Sequence, residues 1–237
     1  MFFWVAVAGS LVIASTAQAI SIDTFATDQS TIIFTPATTG SNQASGSGIV
    51  GGERDVTITL TSGVGVTGIA SGGNYAYGHV AGSEGTISMV WDGIDGSSAL
   101  NSTGLGGADF TDGGVSNGIA LSVLFDDFPA PMTLTVYTDA GNVSQASVVL
   151  PGNIPPDPQM QFEVLFTDFS AIAGIGADFA NVGAFVLDID GSATAGLDVE
   201  IDSISTLLVP IPEPTPAVLL AGGLVGFSWI RRRRFRT

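Results

Sequence analysis

Twenty-two carboxylates and a single imidazole, His79, make up nearly all the titratable chemistry of this 237-residue chain. There is no Cys and no Lys, and five of the six Arg lie in the last seven positions. These absences exclude a thiol nucleophile, a disulfide or a thiolate metal site. They also exclude a phosphate-gripping P-loop lysine, a lysine Schiff base and a multi-histidine zinc centre. What remains is carboxylate, hydroxyl, amide and aromatic chemistry.

The carboxylates fall into three groups. Two loops, Asp92-Gly93-Ile94-Asp95-Gly96 and Asp109-Phe110-Thr111-Asp112-Gly113, pair Asp with a Gly turn. Calcium takes six to eight hard oxygens, so Asp92, Asp95, Asp109 and Asp112 are candidate calcium ligands, and calcium is the one cofactor entertained. The plainer reading is turn chemistry, since Asp-Gly suits tight turns. The second group is Asp198, Glu200 and Asp202, two residues apart and so on one strand face, with Asp188 and Asp190 expected on a neighbouring strand. Two carboxyls flanking a cleft about 5–10 Å apart hydrolyse glycosides; a solvated strand face is the simpler expectation. The third group flanks Arg54, between Glu53 and Asp55, where a guanidinium held by two carboxylates would anchor a strand entry or contact a ligand.

Tyr75, Tyr77 and His79 step by two and share a face. With Trp91 they form a candidate ligand-binding set, because aromatic rings stack on sugars; ordinary strand packing is the alternative. A Ser-His-Asp triad would have to use His79, and no Gly-x-Ser-x-Gly elbow accompanies it. Thr57, Thr59 and Thr61 put hydroxyls on one strand face. Flat Thr arrays suit ice, but one strand is not an array.

These residues sit on a β-patterned body. Val56-Thr57-Ile58-Thr59-Leu60, Thr133–Tyr137 and Leu197–Asp202 alternate apolar and polar, as half-buried strands do. Further strands are predicted at Thr31–Phe34, Gly65–Ala70, Tyr75–Val80, Gly85–Trp91, Gly118–Phe125, Ser144–Leu150, Met160–Phe166 and Val182–Ile189. Gly, Asn, Asp, Ser and Pro clusters separate them. Gly40–Gly48 reads as a low-complexity loop, Pro151–Pro158 as a stiff connector, and Ala171–Phe179 as one short helical turn. The pattern predicts an all-β fold: a β-sandwich, jelly-roll-like, with an immunoglobulin-like sandwich as the alternative. From Ile20 to Pro212, 21 acids face Arg54 alone, a formal charge of −20. Such a field repels nucleic acid and tolerates divalent cations.

The two ends read as addresses. Residues 2–14 are apolar and are followed by Ala17-Gln18-Ala19, the small-x-small pattern of a signal peptide cleaved after Ala19, with no Lys or Arg ahead of it. At the other end Pro212-Glu213-Pro214 precedes an uncharged stretch, Ala217–Ile230, and then Arg231, Arg232, Arg233 and Arg234. These three ordered parts resemble the PEP-CTERM sorting signal. The resemblance covers residues 209–236 and implies a chain exported by a Gram-negative bacterium that makes extracellular polysaccharide. Signal peptidase and an exosortase would be its processing partners. The tail would sit transiently in the inner membrane as a hydrophobic helix before release to the cell surface or beyond. Gly51-Gly52-Glu53-Arg54-Asp55 is similar to an element of some exported PEP-CTERM proteins of unknown role. The expected organisation is a signal helix (1–19), a β-sandwich (20–208) and a sorting tail (209–237). The expected function is a non-catalytic, adhesive or carbohydrate-associated surface or matrix protein. The alternatives are an extracellular glycosidase or lyase and a structural filament subunit.

Overall fold

A computed structural model describes residues 19–209. Residues 1–18 of the expected signal helix (1–19), Ala17 among them, Pro212-Glu213-Pro214, the apolar tail and Arg231–Arg234 lie outside the described residues. Among the described residues no helix is long and apolar enough to cross a membrane.

Fourteen strands form two seven-stranded antiparallel sheets, which make a sandwich. The strands are β1 (Ser21–Asp23), β2 (Gln29–Phe34), β3 (Thr39–Ser45), β4 (Glu53–Ser62), β5 (Gly65–Ser71), β6 (Asn74–His79) and β7 (Glu84–Trp91). They continue with β8 (Ser116–Asp126), β9 (Ala130–Asp139), β10 (Asn142–Leu150), β11 (Met160–Leu165), β12 (Ser170–Ala173), β13 (Ala184–Gly191) and β14 (Asp198–Leu208). Sheet A runs β11-β8-β14-β6-β5-β2, with β1 on β14; sheet B runs β12-β10-β9-β13-β7-β4-β3. Alternation along each strand turns one set of side chains inward. Sheet B contributes Val56, Ile58, Ile87, Met89, Trp91, Leu134, Phe185 and Leu187; sheet A answers with Val66, Tyr75, Tyr77, Ile119, Leu121, Val199 and Ile201. No residue of this core set is more than 8% exposed, so the two sheets share one continuous apolar interior.

Two expectations change here. Most of the expected loop Gly40–Gly48 is strand: Thr39–Ser45 forms edge strand β3 in full register with β4, from Thr39 on Thr59 to Ser45 on Glu53. Apart from the buried Ala44 the stretch has no apolar side chain, and its contacts are backbone bonds and hydroxyl pairs, such as Ser41 with Thr57 at 2.9 Å. Ala171–Phe179 is not a helical turn: Ser170–Ala173 pairs with β10, and Phe179 stacks on Phe166 at 4.2 Å, with Phe169 edge-on. The gain from this aromatic cluster outweighs the weak helical preference of a Gly-containing segment.

The interior is organised around one cation. Alternation places Arg54 in phase with Val56 and Ile58, so it points into the sandwich and is 0% exposed. Its Nη1 donates to Asp23 Oδ2 at 2.8 Å, an ion pair with both side chains fully buried. Its Nε donates to Gln29 Oε1 at 2.6 Å and its Nη2 to the Thr27 carbonyl at 3.0 Å. Asp23 Oδ2 also accepts the Trp91 indole N–H at 2.8 Å, and Oδ1 accepts the Phe25 amide at 2.8 Å. The rings of Phe25 and Tyr75 lie 5.1 and 5.8 Å from the guanidinium carbon. The anchor expected at Arg54 therefore exists, but its partner is Asp23. Neighbours on a strand point to opposite faces, and this removes Glu53 and Asp55 from reach.

Truncating one partner of a buried pair strands the other charge. Asp23→Ala is expected to cost about 3–5 kcal/mol in urea unfolding. The double variant Asp23→Asn with Arg54→Met, which removes the charge altogether, is expected to lose less than Asp23→Ala alone. A loss below about 1 kcal/mol for Asp23→Ala would assign the pair no structural weight.

Candidate functional site

The outward face of sheet B carries a polar array that spans strands from all parts of the chain. In register across β3, β4, β7, β13, β9 and β10 lie Ser41, Thr57, Ser88, Asp188, Thr133 and Ser147. All six are partly or fully exposed. At about 4.8 Å per strand the row is roughly 24 Å long. One step along the strands, Thr39, Thr59, Thr86 and Asp190 make a second row. One step the other way the register runs Gln43, Asp55, Val90, Val186, Thr135 and Gln145. The Thr face of β4 thus continues across neighbouring strands, which no single-strand pattern reveals. Neighbours within the array bond each other: Gln145 Nε2 donates to Thr135 Oγ1 at 3.2 Å. Burial pushes the Asp188 carboxyl up, with the Ser88 hydroxyl opposing the shift. Tyr137, half-buried on the same face, is pushed up by burial and by the Asp188 charge.

At the β3 end, the loop 92–101 lies beside the array and borders an open cleft of about 490 Å³. Ser41, Asn42, Gln43, Gly96, Ser97 and Ser98 line it. The loop doubles back at Gly93, whose φ of +88° suits glycine and where a Cβ would collide with the Gly104 carbonyl. Beneath the cleft sit three buried acids, Glu53, Asp55 and Asp92, 4%, 2% and 1% exposed. Glu53 accepts the amides of Asp95 and Gly96 on Oε1 and the Ser45 hydroxyl on Oε2. Asp92 Oδ2 accepts the Asn101 amide at 2.6 Å. Asp55 Oδ1 and Oδ2 and Asp92 Oδ1 have no partner. Burial first, then the charges of Asp92, Glu53 and Asp95, push the Asp55 carboxyl up to about 7.

The expected site residues distribute as follows. Asp92 and Asp95 belong to the cleft loop, Asp95 capping the Ser97 amide at 2.8 Å. Asp109 and Asp112 are not brought to them: among the described residues no group of three or more His, Cys, Asp or Glu is arranged to hold a metal ion. Asp109 accepts the Thr111 and Gly113 amides, which is turn chemistry, and these bonds with the Thr111 hydroxyl hold its carboxyl low. Asp188 and Asp190 do not neighbour Asp198, Glu200 and Asp202. β13 and β14 belong to different sheets, so the expected carboxylate patch is split between opposite outer faces.

The aromatic ligand face is also overturned. Tyr75, Tyr77 and His79 do share a face, but it is the inner one, at 1%, 1% and 7% exposure, and Trp91 is fully buried. Tyr77 and His79 bond each other at 2.7 Å. Gly191, in register with Gly85, has no Cβ and makes room for the imidazole. Burial lowers the His79 pKa and raises that of Tyr77, so both stay neutral. Sequence reasoning missed Glu53 and Asp55 as site residues. Their signal was the acid on each side of an inward Arg54.

No family model matches the chain, and no curated protein matches it. Among solved structures the chain is similar to a family 11 carbohydrate-binding module from Clostridium thermocellum in complex with a β-1,3-1,4-mixed-linked tetrasaccharide. The identity is 11%, over 78% of this chain and 97% of that one, with a TM-score of 0.36. The family 11 module of the cellulosomal cellulase Lic26A-Cel5E of the same organism gives 13%, 82%, 97% and 0.38. An agarase gives 11% identity and 0.42 over 65% of this chain and 23% of its own. These likenesses are distant.

One further buried acid lies outside the cleft. Asp126 is fully buried, with Oδ2 accepting the Gly152 amide at 2.8 Å and Oδ1 unpartnered. Burial, helped by the Asp127 charge, pushes it up to about 6. The folded pKa is raised, so this group costs nothing below about pH 4, where both states are protonated; stability is lost as pH rises through about 6. Asp126→Asn is expected to exceed the parent in unfolding free energy from urea titration at pH 8, by an amount on the order of 1–3 kcal/mol, and to match it at pH 4. Equal midpoints at both pH values would contradict this.

Proposed function

We propose that the chain is an exported, non-catalytic β-sandwich of jelly-roll-like arrangement that lies against extracellular polysaccharide through the outer face of sheet B. The observation that carries this reading is the six-residue polar row from Ser41 to Ser147, flanked by the polar cleft. Sugars present hydroxyls at close intervals, and a surface of alternating donors and acceptors on a rigid sheet meets them with little ordering cost. Individual contacts of this kind are weak, so a long row is what makes retention possible. Asp188 and Asp190 interrupt the hydroxyl rows with carboxylates, which favours a hydrated polyol over ice.

Three features support a non-catalytic reading. The one histidine is buried in the core, and burial disfavours its charged form. The carboxylate groups are divided between two faces of the sandwich. The cleft lining is hydroxyl and amide. Export and exosortase sorting rest on the Pro-Glu-Pro tail and on Ala17-Gln18-Ala19, with release to the cell surface or matrix as the destination.

The test is retention of the full chain on the producer's insoluble polysaccharide. Asp188→Ala and the double variant Thr57→Val, Ser88→Val are each expected to weaken retention at least tenfold, about 1.4 kcal/mol. Glu163→Ala, on an edge strand of sheet A, should leave it unchanged. Equal retention of all variants would remove sheet B from the account. Release of sugar fragments, lost in Asp188→Asn or Glu200→Gln, would favour the glycosidase or lyase instead.

A further inference from the structure

The floor of the cleft has an imbalance of charge and of hydrogen bonding. Glu53, Asp55 and Asp92 are all at least nine-tenths buried on the outer side of sheet B. Among the described residues the only Lys or Arg is Arg54, and it faces the other way, bonded to Asp23. Glu53 has amide and hydroxyl donors on both oxygens, and Asp92 has one on Oδ2. Three carboxylate oxygens are left over: both of Asp55 and Oδ1 of Asp92. Asp55 stands beside Val90 in register, and Asp92 follows two residues later on the same face, so the orphaned oxygens converge on one place. A buried acceptor without a donor is costly, and a buried carboxylate without a counter-charge more so.

A proton shared between Asp55 and Asp92 would occupy one oxygen of each and leave the other Asp55 oxygen to the Gln43 amide alone, which lies opposite and favours the charged form. A divalent cation can take all three. The cleft adjoins this floor at Gln43, opposite Asp55, and at Gly96, bonded to Glu53. The shape favours calcium over magnesium. Two carboxylates plus amide, carbonyl and water oxygens suit its flexible six- to eight-fold shell, whereas magnesium requires a strict octahedron and keeps its waters.

We infer that Asp55 and Asp92 bind one calcium ion beneath the cleft, with its outer coordination positions open to the cleft. The ion ties β4 to the start of the loop 92–101 and so holds one wall of the cleft in place. This site is independent of the polysaccharide reading. It keeps one of the two Asp-Gly loops as a source of ligands, adds Asp55, and leaves Asp109 and Asp112 out.

The experiment is calorimetric titration of calcium chloride into the full chain after chelator treatment, with thermal unfolding in parallel. The expected result is one calcium per chain with Kd in or below the roughly 10⁻⁴–10⁻³ M range of extracellular modules, a saturable rise in Tm, and a smaller rise with magnesium. Asp55→Asn and Asp92→Asn should each weaken binding at least 30-fold, and Asp109→Asn should leave it unchanged. Removing a buried charge should leave Asp55→Asn at least as stable as the parent in chelator, so circular dichroism separates lost binding from lost folding. Hydrogen exchange of the parent gives the location without any variant: calcium should slow exchange in residues 53–55 and 92–101. Absence of binding at millimolar calcium, unchanged binding in both Asp55→Asn and Asp92→Asn, or protection confined to residues 109–114 would overturn the site.

Discussion

The arrangement turns on the orientation of Arg54. A lone guanidinium in an acidic body has many carboxylates to choose from, and it takes Asp23 in the interior. Strand geometry then leaves no freedom for its neighbours: with Arg54 inward, Glu53 and Asp55 must face outward. Asp23 joins three places at once, since it sits on β1 of sheet A, receives Arg54 from β4 and receives Trp91 from β7. Burial of an ion pair is not by itself a source of stability. Its value here is in fixing the phase of β4 and the closure of the two sheets at that end. The consequence is a set of outer-face acids deprived of Arg54, the one Lys or Arg among the described residues.

That deprivation shapes the site. Glu53 resolves it by accepting amides from the loop 92–101, which ties the loop to β4. Asp55 and Asp92 do not resolve it within the protein. The same loop supplies the wall of the cleft, so its position and the solvation of the buried acids are coupled. Beyond the cleft the array becomes open and mostly hydroxyl, with Asp188 as the one ionisable group in the central row. The acidic face therefore grades from a buried, charge-dense end to an exposed, polyol-like expanse.

Much of this architecture is legible in the sequence, and the failures have physical causes. β4, β9 and β14 show strict alternation because each has one wet face and one dry face, and that pattern is local. β3 is invisible because an edge strand held by backbone bonds and hydroxyls needs few apolar residues; Gly40 and Ser41 read as loop. The phase of the aromatic trio Tyr75, Tyr77, His79 is correct and its side is not. Period two defines two faces without saying which is inside, and the decision rests on Gly85 and Gly191 in the opposite sheet. Asp188 and Asp198 are near in sequence, and a crossover between sheets separates them; no local pattern reports a crossover. The cleft acids combine two readable facts, an Arg between two acids and an Asp-Gly loop, whose adjacency depends on the register of β4 with β7.

The most direct test of the central claim, that the outer face of sheet B is the working surface, is hydrogen exchange of the full chain with and without soluble fragments of the producer's polysaccharide. The account predicts slowed exchange in 39–45, 53–62, 84–91, 130–139, 142–150 and 184–191, the strands that carry the polar rows, with 160–165 and 198–208 unchanged. Protection confined to those last two segments, or spread evenly over both sheets, would contradict it.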